Sequence, residues 1–303
     1  MGTLKRIKKS RPVTGLRRYL AYLIARAFFR LAPRLSRNGA IRWGRSLGRF
    51  AFDRVGYGKK LTLENLRRVF GDEMSPEEIT ATARRVYENL GVTALEFPRL
   101  PHLADGEFFR QVDCRAEDIE YLRELMRSGR GVIFASAHLG NWEMLADFGA
   151  RLGLKMSVLF KPSTNPYFNR LWAGLRGRNR LIDINGGLAA VTRRLKAGEA
   201  IALLFDENAR SRGISIPFFG FPASTYKGPA FFALRAGAPI LCLYFVRQPD
   251  GRHRFVIERT IEPERGGGLE SDLERVMLEM NASLEKMIRL YPDQWNWVYK
   301  RWS

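Results

Sequence analysis

Apolar positions run without a break through Val132-Ile133-Phe134-Ala135, opened by Gly129-Arg130-Gly131 and ending at His138. An unbroken run of this length predicts a strand covered on both faces, as in a parallel sheet. Leu139-Gly140-Asn141 then turns the chain. Met144, Leu145, Phe148 and Leu152 follow at helical spacing and predict a helix over residues 142–153. The alternation continues downstream. Residues 156–160, 181–184, 200–205 and 239–246 read as strands, and 166–176, 188–197 and 228–235 as helices. Residues 253–260 alternate less cleanly and read as an edge strand. Strands alternating with helices predict βαβ units and a mostly parallel or mixed sheet.

Upstream of residue 131 several segments show a helical period. Ile41 to Phe52 is one helix, carrying Trp43, Leu47, Phe50 and Ala51. Ser75-Pro76-Glu77-Glu78 is the start of another: an N-cap, a proline at the first helical position and a glutamate closing a capping box. That helix runs to about residue 90, with an apolar stretch to Leu100 that extends it. Residues 116–128 form a further amphipathic helix. Leu269, Leu273, Val276, Met277, Met280, Leu284, Met287 and Ile288 define the last one. No internal repeat and no long linker interrupts the chain, and 303 residues suffice for a large α/β core.

The first sixty residues differ from the rest in charge. They hold 17 Lys and Arg against a single acid, Asp53, and so account for most of the net charge of +20. Lys5-Arg6-Ile7-Lys8-Lys9-Ser10-Arg11 is a basic arm without the shape of a signal peptide. In the helix that follows, over residues 16–35, Leu16, Leu20, Leu23, Ile24, Ala27, Phe28 and Leu31 share one side. Arg26, Arg30 and Arg34 form a stripe. The longest uncharged stretch, Tyr19 to Ala25, is far short of the ~20 apolar residues of a spanning helix. The pattern predicts a helix lying in a membrane interface, with arginines toward lipid phosphates; the alternatives are a surface helix docked on the domain and a span with snorkelling arginines. The excess charge calls for an anionic partner: a membrane surface, a phosphorylated lipid, an acidic carrier protein or a nucleic acid. Two cysteines and three histidines exclude a disulfide framework, a cysteine-rich zinc site and a histidine metal cluster, and point to a reducing, cytosol-facing location.

His138 therefore stands at the carboxyl end of a strand and at the mouth of a helix, where open α/β sheets bind ligands. Glu143 is five residues on. If His138 is in the turn and Glu143 in the first helical turn, the carboxylate can hold one ring nitrogen and leave the other to take a proton from a hydroxyl. The same pair also fits a core histidine bonded to a helix-capping glutamate. Residues 200–205 deliver a second polar set, Asp206-Glu207-Asn208-Ala209-Arg210-Ser211-Arg212. Arg210 and Arg212 suit a phosphate, or an ion pair with Asp206 that shapes the loop. Lys161, after the strand at 156–160, is either a ligand-facing cation or a solvated loop residue. The run Pro217-Phe218-Phe219-Gly220-Phe221-Pro222 reads as an aromatic turn before a helix, its rings serving an apolar ligand or the core. Trp295, Trp297, Tyr299 and Trp302, beside Lys300 and Arg301, seat at a membrane interface or cap the core.

Several of these segments carry a resemblance. His138-x4-Glu143 after a hydrophobic strand resembles the His-x4-Asp/Glu motif of the glycerolipid acyltransferase superfamily. Its glutamate form is similar to the bacterial lipid A biosynthesis acyltransferases. Asn65-Leu66 with Phe70, Lys161-Pro162 with Asn165-Pro166, and Asp206 are similar to segments of that family. So are Phe218-Phe219-Gly220 through Gly228-Pro229-Ala230, and the ending Gln294-Trp295 to Arg301-Trp302. Two positions depart from it: Lys161 stands where arginine is common, and Glu207 where glutamine or histidine is usual.

The resemblance implies an α/β fold: a single acyltransferase domain over 41–303 with a mostly parallel or mixed central sheet flanked by helices, preceded by a basic arm and an amphipathic membrane helix over 1–40. It implies O-acyl transfer from an acyl carrier protein or coenzyme A thioester to a hydroxyl of a lipid A precursor or related glycolipid, at the cytoplasmic face of the bacterial inner membrane. No metal or other cofactor is called for. His138 is then the base and Glu143 its orienting carboxylate. Asn141, Lys161, Asp206, Arg210, Arg212, Phe219 and Gly220 are the candidate substrate-binding residues. No GxSxG elbow is present, which argues against an acyl-enzyme hydrolase. A basic nucleic-acid-binding protein is the competing class, without a Walker, RRM or zinc-finger pattern to support it; a membrane scaffold without turnover is a third.

Overall fold

The apolar run at 132–136 is the central strand of a seven-stranded sheet. The computed structural model describes residues 12–163, 165–176, 178–184 and 187–302. Four helices come first: α1 (Pro12–Leu31), α2 (Arg37–Phe50), α3 (Lys59–Phe70) and α4 (Pro76–Glu96). Then come α5 (Asp105–Arg110), β1 (Val112–Asp113), α6 (Ala116–Arg127), β2 (Val132–Ser136), α7 (Met144–Arg151), β3 (Met156–Phe160), α8 (Pro166–Leu175), β4 (Arg180–Asp183), α9 (Leu188–Lys196) and β5 (Ala200–Leu204). A hairpin of β6 (Ile214–Phe218) and β7 (Phe221–Thr225) precedes α10 (Gly228–Ala236), β8 (Ile240–Arg247), β9 (His253–Ile261) and α11 (Leu269–Leu290). The capping box at Ser75 is formed on both sides: Ser75 Oγ accepts from Glu78 N, and Glu78 accepts from Ser75 N.

The strand order is β1-β9-β8-β2-β5-β3-β4. β2 pairs in parallel with β5 and β8, β5 with β3, and β3 with β4. β9 runs antiparallel to β8 and carries β1 in parallel on its far side. The strand at 253–261 is therefore not an edge. A two-residue strand covers it, too short to leave a periodic trace in the sequence. Both faces of the sheet are buried, which accounts for the unbroken apolar runs. Ile133, Ala135, Ile201, Leu203 and Tyr244 face a core closed by α9, α10 and α11, with Val191, Phe232 and Val276. Val132, Phe134, Ala202, Leu243 and Phe245 face the opposite core, with Phe108, Leu122 and Phe148 from α5, α6 and α7. After β2 the chain moves toward β3; after β5 it crosses to β8 on the other side of β2. The carboxyl ends of β2 and β5 thus flank a point where the winding reverses, the place where such sheets form a crevice.

The N-terminal helices pack in an unexpected way. The buried side of α2 is Gly39, Ala40, Gly44 and Gly48, not its large apolar residues. A Cβ on Gly48 would lie 2.1 Å from Tyr87 O, and one on Gly91 would lie 2.2 Å from Gly44 O, so α2 and α4 touch backbone to backbone. Trp43, Leu47 and Phe50 consequently point outward, at 61 %, 47 % and 58 % exposure. On α1, Leu16, Leu20 and Ile24 are likewise exposed, while Tyr22 stacks near Tyr167 of α8 and Phe29 meets Phe97. Among the described residues no helix is long and apolar enough to cross a membrane. The basic arm at 5–11 lies outside the described residues.

Residues 292–302 form no helix or strand, yet most of them are buried in the core. Trp295, Trp297, Arg301 and Trp302 are buried, which sets aside a membrane-interface seat for these rings. Trp297 Nε1 donates to Pro292 O, Trp302 Nε1 to Phe218 O, and Asn65 Nδ2 to the carbonyls of Trp297 and Tyr299.

Candidate active site

β2 delivers His138 two residues past its end. The loop that follows is fixed by backbone pairing on both sides. Gly140 N donates to Gln294 O, Asn141 N to Phe245 O, and Asn296 N to His138 O. Gly140 has φ +63°, and a Cβ there would lie 1.9 Å from Phe245 O, so only glycine lets the loop pass so close to β8. Gln294 locks the tail by exchanging two side-chain hydrogen bonds with the backbone of Arg247.

β5, the neighbour of β2, delivers Asp206 at the same edge. Its carboxylate is fully buried and accepts three hydrogen bonds. His138 N and Trp295 Nε1 donate to Oδ2 at 2.9 and 2.8 Å, and His138 Nδ1 lies 2.8 Å from Oδ1. Burial alone would raise the Asp206 pKa, but His138 and the Trp295 indole outweigh it and hold the carboxyl below its ordinary value. Burial likewise pulls the His138 pKa down, and Asp206 overcomes this, so that the imidazole sits above its ordinary value. Nδ1 facing a carboxylate carries the proton in the neutral ring, which leaves the Nε2 lone pair for another partner. The ring is held edge-on between Trp142 and Tyr299, each at 5.0 Å, with 13 % of its side chain exposed.

This is not the carboxylate that the local spacing suggests. Glu143 precedes α7, and both its oxygens accept from Arg176 Nη2, at 2.7 and 2.8 Å, with Arg176 Nε 3.1 Å away. Its charge still contributes to holding the His138 pKa up, but as the smallest of the groups that do so.

Behind the loop lies a buried polar cluster. Arg247 Nη1 donates to both Glu96 oxygens at 2.7 Å and Nη2 to Thr93 Oγ1, whose hydroxyl donates to Gly140 O. Asn141 Nδ2 donates to Glu96 Oε2. Burial outweighs Glu96 at His253 and keeps that imidazole below its ordinary pKa, so its Nε2 accepts from Arg247. The cluster joins the end of α4, β8 and β9 to the His138 loop.

A family model described as bacterial lipid A biosynthesis acyltransferase matches residues 6–303. The chain belongs to that family. It is an acyltransferase, rather than the nucleic-acid-binding protein that charge alone left open. The chain is 26% identical over 269 residues to the lipid A biosynthesis lauroyltransferase of Escherichia coli (strain K12), covering 86% of this chain and 84% of the relative. It is 27% identical over 271 residues to the lipid A biosynthesis myristoyltransferase of the same organism, covering 84% and 78%. It is 23% identical over 253 residues to the phosphatidylinositol mannoside acyltransferase of Mycolicibacterium smegmatis (strain ATCC 700084 / mc(2)155), covering 81% and 80%.

The acyltransferase places its other candidate residues unequally. Asp206 belongs to the His138 pair rather than to a binding loop. Asn141 is wholly buried, and its Nδ2 donates to Glu96 behind the loop. Phe219 and Gly220 are the two-residue turn of the β6–β7 hairpin, with φ of 52° and 76°. Phe219 N donates to Glu285, and its ring packs on Phe70 and Phe218. Lys161 is exposed just past β3, and Arg210 and Arg212 are exposed just past β5, all at the carboxyl edge of the sheet. Trp295, Tyr299 and Arg176 enter the site without having been singled out for it. Trp295 lies in the carboxyl-terminal aromatic run; nothing in the sequence ties Arg176 to Glu143.

Because Arg247 and Glu96 are both buried, Arg247→Ala strands a charge. Removing one partner of such a pair costs about 3–5 kcal/mol. The denaturant midpoint of this variant is expected to fall accordingly, whereas an unchanged midpoint would mean that Glu96 finds compensation in His253 and Asn141.

Proposed function

We propose that this acyltransferase moves a fatty acyl group from an acyl carrier protein or coenzyme A thioester to a hydroxyl of a lipid A precursor or related glycolipid, with His138 as general base. The observation that carries the reading is the His138–Asp206 pair at the carboxyl ends of β2 and β5, with Nε2 making no hydrogen bond among the described residues. Nε2 takes the proton of the acceptor hydroxyl as its oxygen attacks the thioester carbonyl. The carbon–sulfur bond of the tetrahedral intermediate then breaks, and the departing thiolate takes that proton from Nε2. Asp206 fixes the tautomer and stabilises the imidazolium formed between the two steps. Glu143 adds negative charge nearby and holds Arg176. The N–H groups of Trp142 and Glu143 have no acceptor among the described residues, and they lead into α7, where a developing oxyanion is favoured.

The acceptor class follows from the relatives, whose names join lipid A enzymes to phosphatidylinositol mannoside enzymes. What they share is acyl transfer to a sugar-bearing lipid. Arg210 and Arg212 would meet the phosphate of such an acceptor. The cytoplasmic face of the inner membrane is the proposed location, reached through α1 and α2. The support is the outward-facing Trp43, Leu47 and Phe50 of α2 and the exposed Leu16, Leu20 and Ile24 of α1, on helices that also expose Arg26, Arg30, Arg42 and Arg45. Apolar burial and attraction of basic residues to anionic lipid act together on such a face, the latter at about 1 kcal/mol per residue near the surface.

His138→Ala is expected to lower kcat of the folded enzyme by ~10²–10⁴-fold, and to lower stability as well, because it removes one of the three donors to the buried Asp206 carboxylate. A folded variant with a near-normal rate would refute the mechanism. The wild-type rate should also rise with pH through a value above the ordinary histidine pKa of about 6.5, because only the neutral ring is a base and Asp206 favours the charged one. A pH–rate profile of kcat/KM reads this limb.

Replacing Trp43, Leu47 and Phe50 together by serine should reduce flotation with anionic vesicles, and high salt should weaken what binding is left. Undiminished flotation of the variant would place the membrane anchor elsewhere.

A further inference from the structure

A cleft of about 470 Å³ opens beside the hairpin, lined by Arg68, Arg210, Gly213, Ser215, Phe221 and Ser224. Its two guanidinium groups come from distant parts of the chain. Arg68, on α3, lies 5.5 Å from the ring centres of both Phe221 and Trp302. Arg210 has φ +53°, a conformation that costs a non-glycine residue on the order of 1–3 kcal/mol. The cost is met locally: Asn208 Oδ1 accepts from Arg210 N at 2.7 Å, and Ser224 Oγ donates to Arg210 O at 2.6 Å. Among the described residues neither Arg68 nor Arg210 makes an ion pair, whereas Arg130, Arg176 and Arg247 each do.

The cleft is joined to the reacting pair by a short rigid path. Arg210 follows Asp206 by four residues. Asn208 Nδ2 donates to Arg301 O, and the Arg301 guanidinium donates to Ser224 O and Thr225 Oγ1 of the hairpin. Burial pulls the Arg301 pKa down to about 10, which still leaves the side chain charged at neutral pH. Tyr299, two residues earlier, is the ring against His138. The cleft thus carries two uncompensated guanidinium groups, lined by two serines, on a frame shared with the proton-transfer pair.

We infer that this cleft is a phosphate-binding subsite, with Arg68 and Arg210 as its paired cations. Arg68 is the new member, brought there by α3 from 142 positions earlier in the chain. A fork-shaped pair of guanidiniums matches phosphate oxygens, and the Ser215 hydroxyl supplies a further donor, the Ser224 proton being held by Arg210 O. The inference rests on the proposed acyl transfer only for which molecule brings the phosphate: the acceptor glycolipid, or the phosphopantetheine arm of the donor.

The direct test is thermal unfolding of the full chain in millimolar inorganic phosphate, against chloride at equal ionic strength. Wild type is expected to gain Tm specifically in phosphate, and Arg68→Gln and Arg210→Gln to lose that gain. No phosphate-specific gain in wild type, or an equal gain in both variants, overturns the subsite. Kinetics then assign the source. Each variant should lose about 10–100-fold in kcat/KM on the phosphate-bearing substrate, the worth of one charge-assisted hydrogen bond. The loss should vanish with dephosphorylated acceptor if the acceptor supplies the phosphate, or with acyl-pantetheine if the donor does. A loss that persists with both phosphate-free substrates also overturns it. A wild type that transfers no acyl group would instead refute the proposed function, while the phosphate titration still decides the subsite.

Discussion

The buried Asp206 carboxylate is the constraint on which the site depends. A full negative charge inside a protein is tolerable only when its lone pairs are met by good donors. Here the donors are the backbone N–H of His138, its ring, and the indole of Trp295. Three separate pieces of chain must therefore be in register: the end of β2, the end of β5 and the carboxyl-terminal tail. The parallel pairing of Ser136 with Leu204 brings the first two together. The bridge between Leu139 and Trp295 supplies the third. The same bonds that make the carboxylate tolerable set the tautomer and orientation of the imidazole, so stability and chemistry share one geometry.

The polar cluster behind the loop extends that logic. Glu96 ends α4, and Arg247 ends β8. Their pairing, with Thr93 and Asn141, ties the helical N-terminal half to the loop that presents His138. The glycine seam between α2 and α4 then carries the tie out to the surface, since a rigid α4 also holds α2. Close backbone packing at the seam turns the large side chains of α2 outward. An exposed apolar stripe and a fixed active-site loop are in this sense two ends of one packed unit.

Much of the fold was legible from periodicity, because both-face burial and amphipathic faces leave direct traces. β2, β3, β5 and β8 and helices α4, α6, α8, α9 and α11 fall within a few residues of where their patterns place them. What was not legible is what depends on tertiary neighbours. His138 and Asp206 could each be found as polar residues ending apolar strands, but β2 and β5 are not consecutive, so their pairing is invisible along the chain. Glu143 looked like the partner because it is near in sequence. In the fold its carboxylate is claimed by Arg176, from beyond the end of α8. The outward turn of Trp43, Leu47 and Phe50 on α2 left no trace in the sequence, because glycine packing has no hydrophobic signature. β1, β6 and β7 were missed because two of them carry prolines or aromatic turns and the other has only two residues.

Whether Asp206 or Glu143 governs the His138 imidazole decides how this site works, and the geometry favours Asp206. The most direct measurement is an NMR titration of the His138 ring in wild type, Asp206→Asn and Glu143→Gln. The expected result is a wild-type pKa above the ordinary value, a proton held on Nδ1 in the neutral ring, and a marked fall in pKa in Asp206→Asn with little change in Glu143→Gln. A pKa that is unmoved by Asp206→Asn but falls in Glu143→Gln would contradict it and return the orienting role to Glu143.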